Sequence, residues 1–330
     1  MSATLRIAAA IAIAVWVIVR AGPDMILDAA LSIHVLWLVV AFAFIIAESF
    51  AKTLNWQAIL GSILRRPLAW GPLLKAYLIA SFLGTVVPSS MGTDALRALH
   101  SKACFGGLLA GHAASVIIAN IFNLVVSSFM ALTAALWLEA QGAIPLSMQV
   151  LPLLFAGVAC GFPVLYILLK WRRDALVVGL RRLRTRRWFK VRHSLRRFID
   201  SMLIFNNSGS SPLRFLVISI LAVVMQTAVW VTLGRGLDVQ LPLAVWMLMV
   251  PANAIVGILP LSIAGFGFHQ AAHVAILAAF GVEPSTAVVI SALLSLFAIV
   301  FNVGLGGCAF LISGKARPDY VRTGEGATRA

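Results

Sequence analysis

Charge is scarce in this sequence, and acidic charge is scarcest: only 11% of the 330 residues are charged, and 11 of them are Asp or Glu. So few carboxylates leave little material for paired general acid/base work or for an oxygen-ligand metal cage. Cysteine is nearly absent too. Cys104, Cys160 and Cys308 stand at unrelated spacings without a CxxC pair, which argues against a disulfide framework or a thiolate metal site and leaves them as small hydrophobes. There is no Walker or dinucleotide glycine motif and no nucleophile elbow, so neither a nucleotide-driven soluble domain nor a serine hydrolase is expected. His269 and His273, four apart, share a helical face but lack a third ligand or an HExxH glutamate, so no metal and no cofactor are expected, and the chain reads as something other than an enzyme.

What is abundant is apolar surface. The hydrophobic fraction is 61% and the mean hydropathy +1.00, far outside the range of soluble domains. Several runs reach the roughly 20 residues needed to cross hydrocarbon, so the chain is expected to be an all-α polytopic membrane protein rather than a barrel. Hydropathy places helices near 5–20, 34–52, 73–88, 112–138, 149–170, 213–234, 243–259, 268–282 and 286–313, about seven to nine hydrophobic segments in one transmembrane domain covering 1–315. Residues 316–330 read as a disordered cytoplasmic tail. The first run, between Arg6 and Arg20, has the length of a signal-peptide core. Pro23 and the lack of a small-x-small cleavage site favour an uncleaved helix.

The net charge of +15 would suggest nucleic acid in a soluble protein; here, positive-inside retention of loops and attraction to anionic lipid head groups explain it better, and no nucleic acid partner is expected. Lys170 to Arg197 holds twelve Lys and Arg with Asp174 as its one acid, so the loop 170–212 is expected in the cytoplasm. Leu195, Phe198, Ile199 and Met202 fall at helical spacing. They suggest a basic amphipathic helix on the inner leaflet, a plain solvated loop being the alternative.

Counting crossings exposes a conflict. The N-terminus is set inside because Asp24 and Asp28 follow the first run, and the second helix then returns to a basic loop with Lys52, Arg65, Arg66 and Lys75. A full crossing by 73–88 would put Arg97, Lys102 and the 170–197 loop outside. The conflict vanishes if 73–111 enters and leaves on the same side, breaking at Pro88 in VVPSSMGTDALR. ILPLSIAGFG, from Ile258 to Gly267, repeats an apolar pair, a proline, a serine two residues on and a glycine beyond. Paired Pro/Gly breaks in two halves point to a binding site in inverted-repeat transporters, with chance similarity as the competing account. Both termini then fall in the cytoplasm.

A break of this kind lets a new helix start inside the membrane with free N–H groups, a setting that suits phosphate. Ser89, Ser90 or Thr93 can cap that helix, and Asp94 and Arg97 fall on one of its faces, as head-group ligands or as an ordinary ion pair on a capped surface helix. Glu48, one turn before Lys52, reads as half of an interfacial pair. Asn120, Asn123 and Ser127 share a stripe, Gln226 is alone and Asn253 follows Pro251; such residues bond helix to helix or line a polar cavity. Asp24 and Asp28 resemble in position the acids of membrane glycosyltransferases, although two acids in a short turn are more often caps and topology markers.

PSSMGTDALR resembles a P-x-x-x-G-G-D-x-x-R element, LPLSIAGFGFHQ resembles P-x-S-x-x-G-x-G-x-R-E, and KTLNW, ending at Trp56, resembles an R-W pair after a second helix. Together these resemble the flippase-like transmembrane domain of lysylphosphatidylglycerol synthases and their stand-alone relatives, over nearly the whole chain. The resemblance implies a bacterial inner-membrane protein that moves or handles a phospholipid or lipid-linked glycan between leaflets, without the synthase's aminoacyl-transfer domain. Pro88, Gly92, Asp94 and Arg97 match the first element, and Pro260, Ser262, Gly265 and Gly267 the second. Thr93, His269 and Gln270 replace a glycine and the R-E pair, and Ala119 and Asn120 stand where the family has E-R, which suggests a less anionic lipid. The candidate head-group site is thus Pro88, Ser89, Ser90, Gly92, Asp94, Arg97, Asn120, Asn123, Pro260, Ser262, Gly265, Gly267 and His269. Two other roles remain open: a membrane partner that docks an envelope-lipid or glycan-modifying enzyme through its basic loop, and a membrane transferase using Asp24 and Asp28.

Overall fold

The computed structural model describes residues 23–85, 90–171, 212–258, 262–263 and 266–315. Its elements, in order, are α1 (Pro23–Leu31), α2 (Val35–Leu64), α3 (Trp70–Gly84), α4 (Ser90–Phe105), α5 (Leu109–Ala140), α6 (Leu151–Trp171), α7 (Pro212–Gly236), α8 (Leu243–Ile258), α9 (Phe268–Ala279), α10 (Pro284–Phe301) and α11 (Gly307–Lys315). A two-residue antiparallel pair, Ser262–Ile263 with Phe266–Gly267, joins α8 to α9, and a π-helical stretch, Asn302–Gly306, joins α10 to α11. Among the described residues, five segments are long and apolar enough to cross a membrane: Val35–Leu64, Leu109–Ala140, Leu146–Val164, Leu213–Gly236 and Pro284–Ile312.

Helices α2 and α7 form the central seam and run antiparallel. His34 N–H donates to the Gly236 carbonyl at 3.0 Å at one end, and Asn55 Nδ2 donates to Ser219 Oγ at 2.9 Å further along. Around this seam the two halves repeat one plan, long helix, two short helices, long helix: α2, α3, α4, α5 and then α7, α8, α9, α10. At about 1.5 Å per residue, the 15 and 16 residues of α3 and α4 reach only about 22–24 Å, short of the roughly 30 Å of hydrocarbon.

The first pair of short helices is a hairpin whose feet meet. The Arg66 guanidinium, before α3, donates to the Phe105 carbonyl at the end of α4. His112 Nε2 donates to the Gly106 carbonyl at 2.7 Å, leaving Nδ1 to accept from Ser101 at 2.8 Å. The turn Gly106–Gly107 has φ of +67° and +86°, a conformation in which glycine is unstrained. The second hairpin, α8 with α9, starts from the opposite end of the bundle, because α7 runs against α2. Helix α8 packs on α5, joining Val245 and Leu248 to Ala131, Ala135 and Leu138, while α3 packs on the last helix, with Phe82 5.6 Å from Phe310. Each hairpin thus leans on the closing segment of the other half, α8 on α5 and α3 on the π-helical stretch and α11.

Charge separates along the axis. One end carries Asp24, Asp28, Glu139, Asp238 and Glu283 with Arg235; the other carries Arg65, Arg66, Lys75, Lys102 and Arg214 and no acid among the described residues. The segment after α6 leaves from this basic end, and α7 returns to it.

Several expectations change. Helix α2 continues to Leu64 rather than 52, so Lys52 is not in a loop: the apolar run is interrupted by Lys52, Thr53, Asn55 and Trp56, yet Thr53, Asn55 and Trp56 are buried. Trp56 lies inside α2, not after it, and donates Nε1–H to Ser115 Oγ at 2.9 Å. Asp24 and Asp28 sit in a helix, not a turn; Ile26 of that helix packs on Val288. Helix α3 ends at Gly84, before the expected 88. The predicted helix 5–20, the amphipathic loop helix, the tail 316–330, and Pro88, Ser89, Pro260 and Gly265 lie outside the described residues.

Candidate polar cavity at the hairpin tips

Halfway along the bundle the tips of both hairpins open onto one cavity of about 380 Å³. Gly84, Thr85 and Thr93 come from the first tip, and Asn253, Gly257 and His269 from the second. The seam contributes Glu48, Lys52, Gln226 and Trp230, and the last long helix Ser295 and Asn302.

The tips come close for a local reason. A Cβ at Gly84 would stand 2.2 Å from Thr93 Oγ1, so only glycine lets α3 and α4 touch there. Thr93 is therefore a packing residue inside α4, not its N-cap; α4 begins at Ser90. Gly257 faces His269 with its hypothetical Cβ 3.4 Å from Nε2, and His269 hydrogen-bonds the backbone of Asn253.

Four charges sit on the basic side of the cavity. Arg97 Nη1 lies 3.3 Å from Asp94 Oδ1, and the same guanidinium stacks on Tyr77, 4.3 Å from the ring centre. Asn120 Nδ2 donates to Asp94 Oδ2 at 2.6 Å, which ties α4 to α5. Lys52 Nζ lies 2.5 Å from Glu48 Oε1. This pair was expected at the interface; it occupies the middle of the 30-residue α2 and lines the cavity instead. Ion pairing of this kind lowers the cost of keeping charge at such depth.

The opposite wall is neutral. His273, only 2% exposed, meets Ser291 Oγ at 3.0 Å through Nδ1 and the Trp230 ring at 4.8 Å. Its Nε2 has no partner, and neither has Gln226 Oε1 nor, across the cavity, Arg97 Nε. Buried polar atoms that the protein leaves unsatisfied around one cavity are suited to a polar ligand or to water.

Three residues singled out in the sequence lie elsewhere. Asn123 and Ser127 are absent from the lining; Ser127 is buried and donates to the Leu124 carbonyl at 3.0 Å, as a helix-packing residue does. Gln270 is 3% exposed, in the core of α9, and also outside the lining. In turn, Glu48, Lys52, Trp230, Ser295 and Asn302 were missed or assigned other roles. Only the four-residue Glu48–Lys52 spacing signalled a pair, and nothing local signalled its depth.

A family model described as the lysylphosphatidylglycerol synthase TM region matches residues 5–306. The chain belongs to that family. No curated protein and no solved structure matches it. As a member of the lysylphosphatidylglycerol synthase TM region family with five apolar spans, it is a multi-pass membrane protein. The family resemblance noted in the sequence acquires a location here: Asp94, Arg97 and Asn120 form one bonded cluster, with Arg97 in the cavity wall, and His269 lines the same cavity.

Proposed function

We propose that this protein is a flippase-like carrier that moves a phospholipid or lipid-linked glycan between leaflets of the bacterial inner membrane, and that it is not an enzyme. The observation that carries the proposal is the single cavity lined by both hairpin tips at mid-bundle, with Arg97 and Lys52 in its wall. A head group crossing the bilayer needs a polar station at that depth, and the hairpins approaching from opposite ends supply two gates around it. In this reading α3–α4 is re-entrant from the cytoplasm. The basic end is cytoplasmic by the positive-inside rule, along with both termini, and the acidic end faces outward. Arg97 and Lys52 bind the lipid phosphate, and movement of one hairpin against the seam opens the cavity to one leaflet at a time.

The test is reconstitution in liposomes with labelled phospholipid or polyprenyl-linked sugar, comparing wild type with Asp94→Ala/Arg97→Ala after size-exclusion confirms a folded variant. A loss of translocation is expected. Equal rates would refute the site, and absence of movement in wild type, with an enzyme captured through the basic loop, would favour the docking role instead.

A further inference from the structure

Taking the carrier reading as its base, we propose that a proton crosses with the head group: one anionic phosphodiester and one proton move together in the same direction, the proton held on His273 beside His269.

Charge balance around the cavity leads there. Glu48 with Lys52 at 2.5 Å and Asp94 with Arg97 at 3.3 Å are two acids and two bases, so the cluster is neutral as a whole. Neither sign is left over. Both cations keep N–H groups that can meet phosphate oxygens, Arg97 through its buried, unpartnered Nε, but a phosphodiester still brings one negative charge that this cluster does not cancel. Net charge at such depth is costly, and the loaded cavity becomes neutral again if one proton enters with the head group.

The groups that could take this proton are few. From α3 the cavity receives Tyr77, from α7 Gln226 and Trp230, and from α8 and α10 only amides and hydroxyls. Helix α1, whose Ile26 packs on Val288 as Ala271 and Val274 of α9 do, carries Asp24 and Asp28 at the acidic end. Among the described cavity-lining groups only imidazole has an ordinary pKa, about 6.5, at which protons come and go near neutral pH. His273 is 2% exposed and lines the cavity; its Nδ1 meets Ser291 Oγ at 3.0 Å and its Nε2 has no partner. In either tautomer, one added proton makes both nitrogens donors, Nδ1 to Ser291 and Nε2 towards the cavity, where a phosphate oxygen can accept. Trp230, 4.8 Å away, is within cation–π range of the imidazolium. His269 lines the same cavity with its ring centre 6.1 Å from that of His273, and two imidazolium ions so close repel, which limits the pair to one proton.

One proton per head group makes the carriage electroneutral. It then follows a pH difference and ignores the membrane potential, and each unit of pH difference holds about tenfold more of the head group in the leaflet facing the alkaline side.

The experiment uses the full chain in phosphatidylcholine vesicles with a trace of fluorescent short-chain phosphatidylmethanol, a phosphodiester with no other head-group function. Extraction by albumin reads its leaflet ratio against protein-free vesicles. A pH difference of about one unit is expected to gather the probe about tenfold on the alkaline side, and a potassium diffusion potential of either sign to leave it even. His273→Asn, confirmed as folded by size exclusion, is expected to give slower movement that no longer follows pH. Movement that ends in equal leaflets under the pH difference, or that follows the potential, overturns the coupling and leaves the carrier reading standing. A His273→Asn protein that keeps the tenfold ratio overturns the placement of the proton; if that variant does not fold, the wild-type response to the two gradients still decides the coupling. No protein-dependent movement under any condition refutes the carrier reading itself, and the coupling with it.

Discussion

Removing the acid from the Asp94–Arg97 pair should cost more than removing the acid and the base together. Asp94 holds two neighbours, Arg97 at 3.3 Å and Asn120 at 2.6 Å, and both members of the ion pair are largely buried, with side chains 21% and 18% exposed. Asp94→Ala strands the guanidinium against Tyr77, and breaking a buried pair from one side costs about 3–5 kcal/mol. Arg97→Ala leaves a carboxylate that still accepts from Asn120, but it forfeits stacking worth about 1–2 kcal/mol, so about 2–4 kcal/mol is expected. The double variant loses the Asn120 bond and the stack but strands no charge, which limits its cost to about 2–4 kcal/mol. The coupling between the two sites is therefore about 2 kcal/mol or more. Thermal unfolding of the purified protein in detergent, followed by tryptophan fluorescence, ranks the three: Asp94→Ala lowest, the double variant above it. A double variant whose loss equals the sum of the single losses would show that the two charges do not depend on each other, and the reasoning about the site's electrostatics would fall with it.

Other consequences can be measured more simply. Gly84→Ala should destabilise by about 1–3 kcal/mol through the Thr93 clash, and Gly84→Ala/Thr93→Gly should recover most of it; no recovery would place the strain elsewhere. Trp56→Phe removes the bond to Ser115 in a buried site and should lower stability by about 1–3 kcal/mol, seen as an earlier melting midpoint. Arg66→Cys, Lys102→Cys and Arg214→Cys should be labelled by a membrane-impermeant reagent from one face, and Asp28→Cys and Glu283→Cys from the other. Labelling of positions 66 and 102 from opposite faces would exclude the re-entrant hairpin. Lys52→Met leaves Glu48 without its 2.5 Å partner and should slow lipid movement at least tenfold in liposomes, while Lys75→Met at the basic end should leave it near wild type.

A turn back near Pro88 was expected from charge parity, a global constraint that needs no side-chain detail, and α3 and α4 are short helices whose outer ends meet through Arg66 and Phe105. The pairing of Asp94 with Arg97 followed from helical spacing alone. What escaped was depth and partnership. Lys52, Asn55 and Trp56 look like the end of a span, because hydropathy counts their polarity but not Ser219, 164 residues from Asn55, or Ser115, 59 residues from Trp56, to which the last two donate. The stripe Asn120, Asn123, Ser127 was visible, yet a stripe does not say which of its members meets a neighbouring helix: Asn120 reaches Asp94, Ser127 bonds within its own helix, and Asn123 lies outside the cavity lining. Gln226 looked solitary for the same reason, since the residues with which it lines the cavity come mostly from other helices.

Among the described residues, helix α6 has no counterpart in the twofold plan, and that asymmetry has a consequence of parity. The first half starts and finishes at the acidic end, because α2 and α5 cancel and the hairpin between them returns to where it began. Joined directly, a second copy of the same plan would insert with the same polarity, and its hairpin would reach in from the same face as the first. The additional traverse described from Leu151 to Trp171 turns the copy upside down. An odd spacer is thus what converts duplication into inversion, and a chain without it would carry two hairpins side by side and no shared chamber between them.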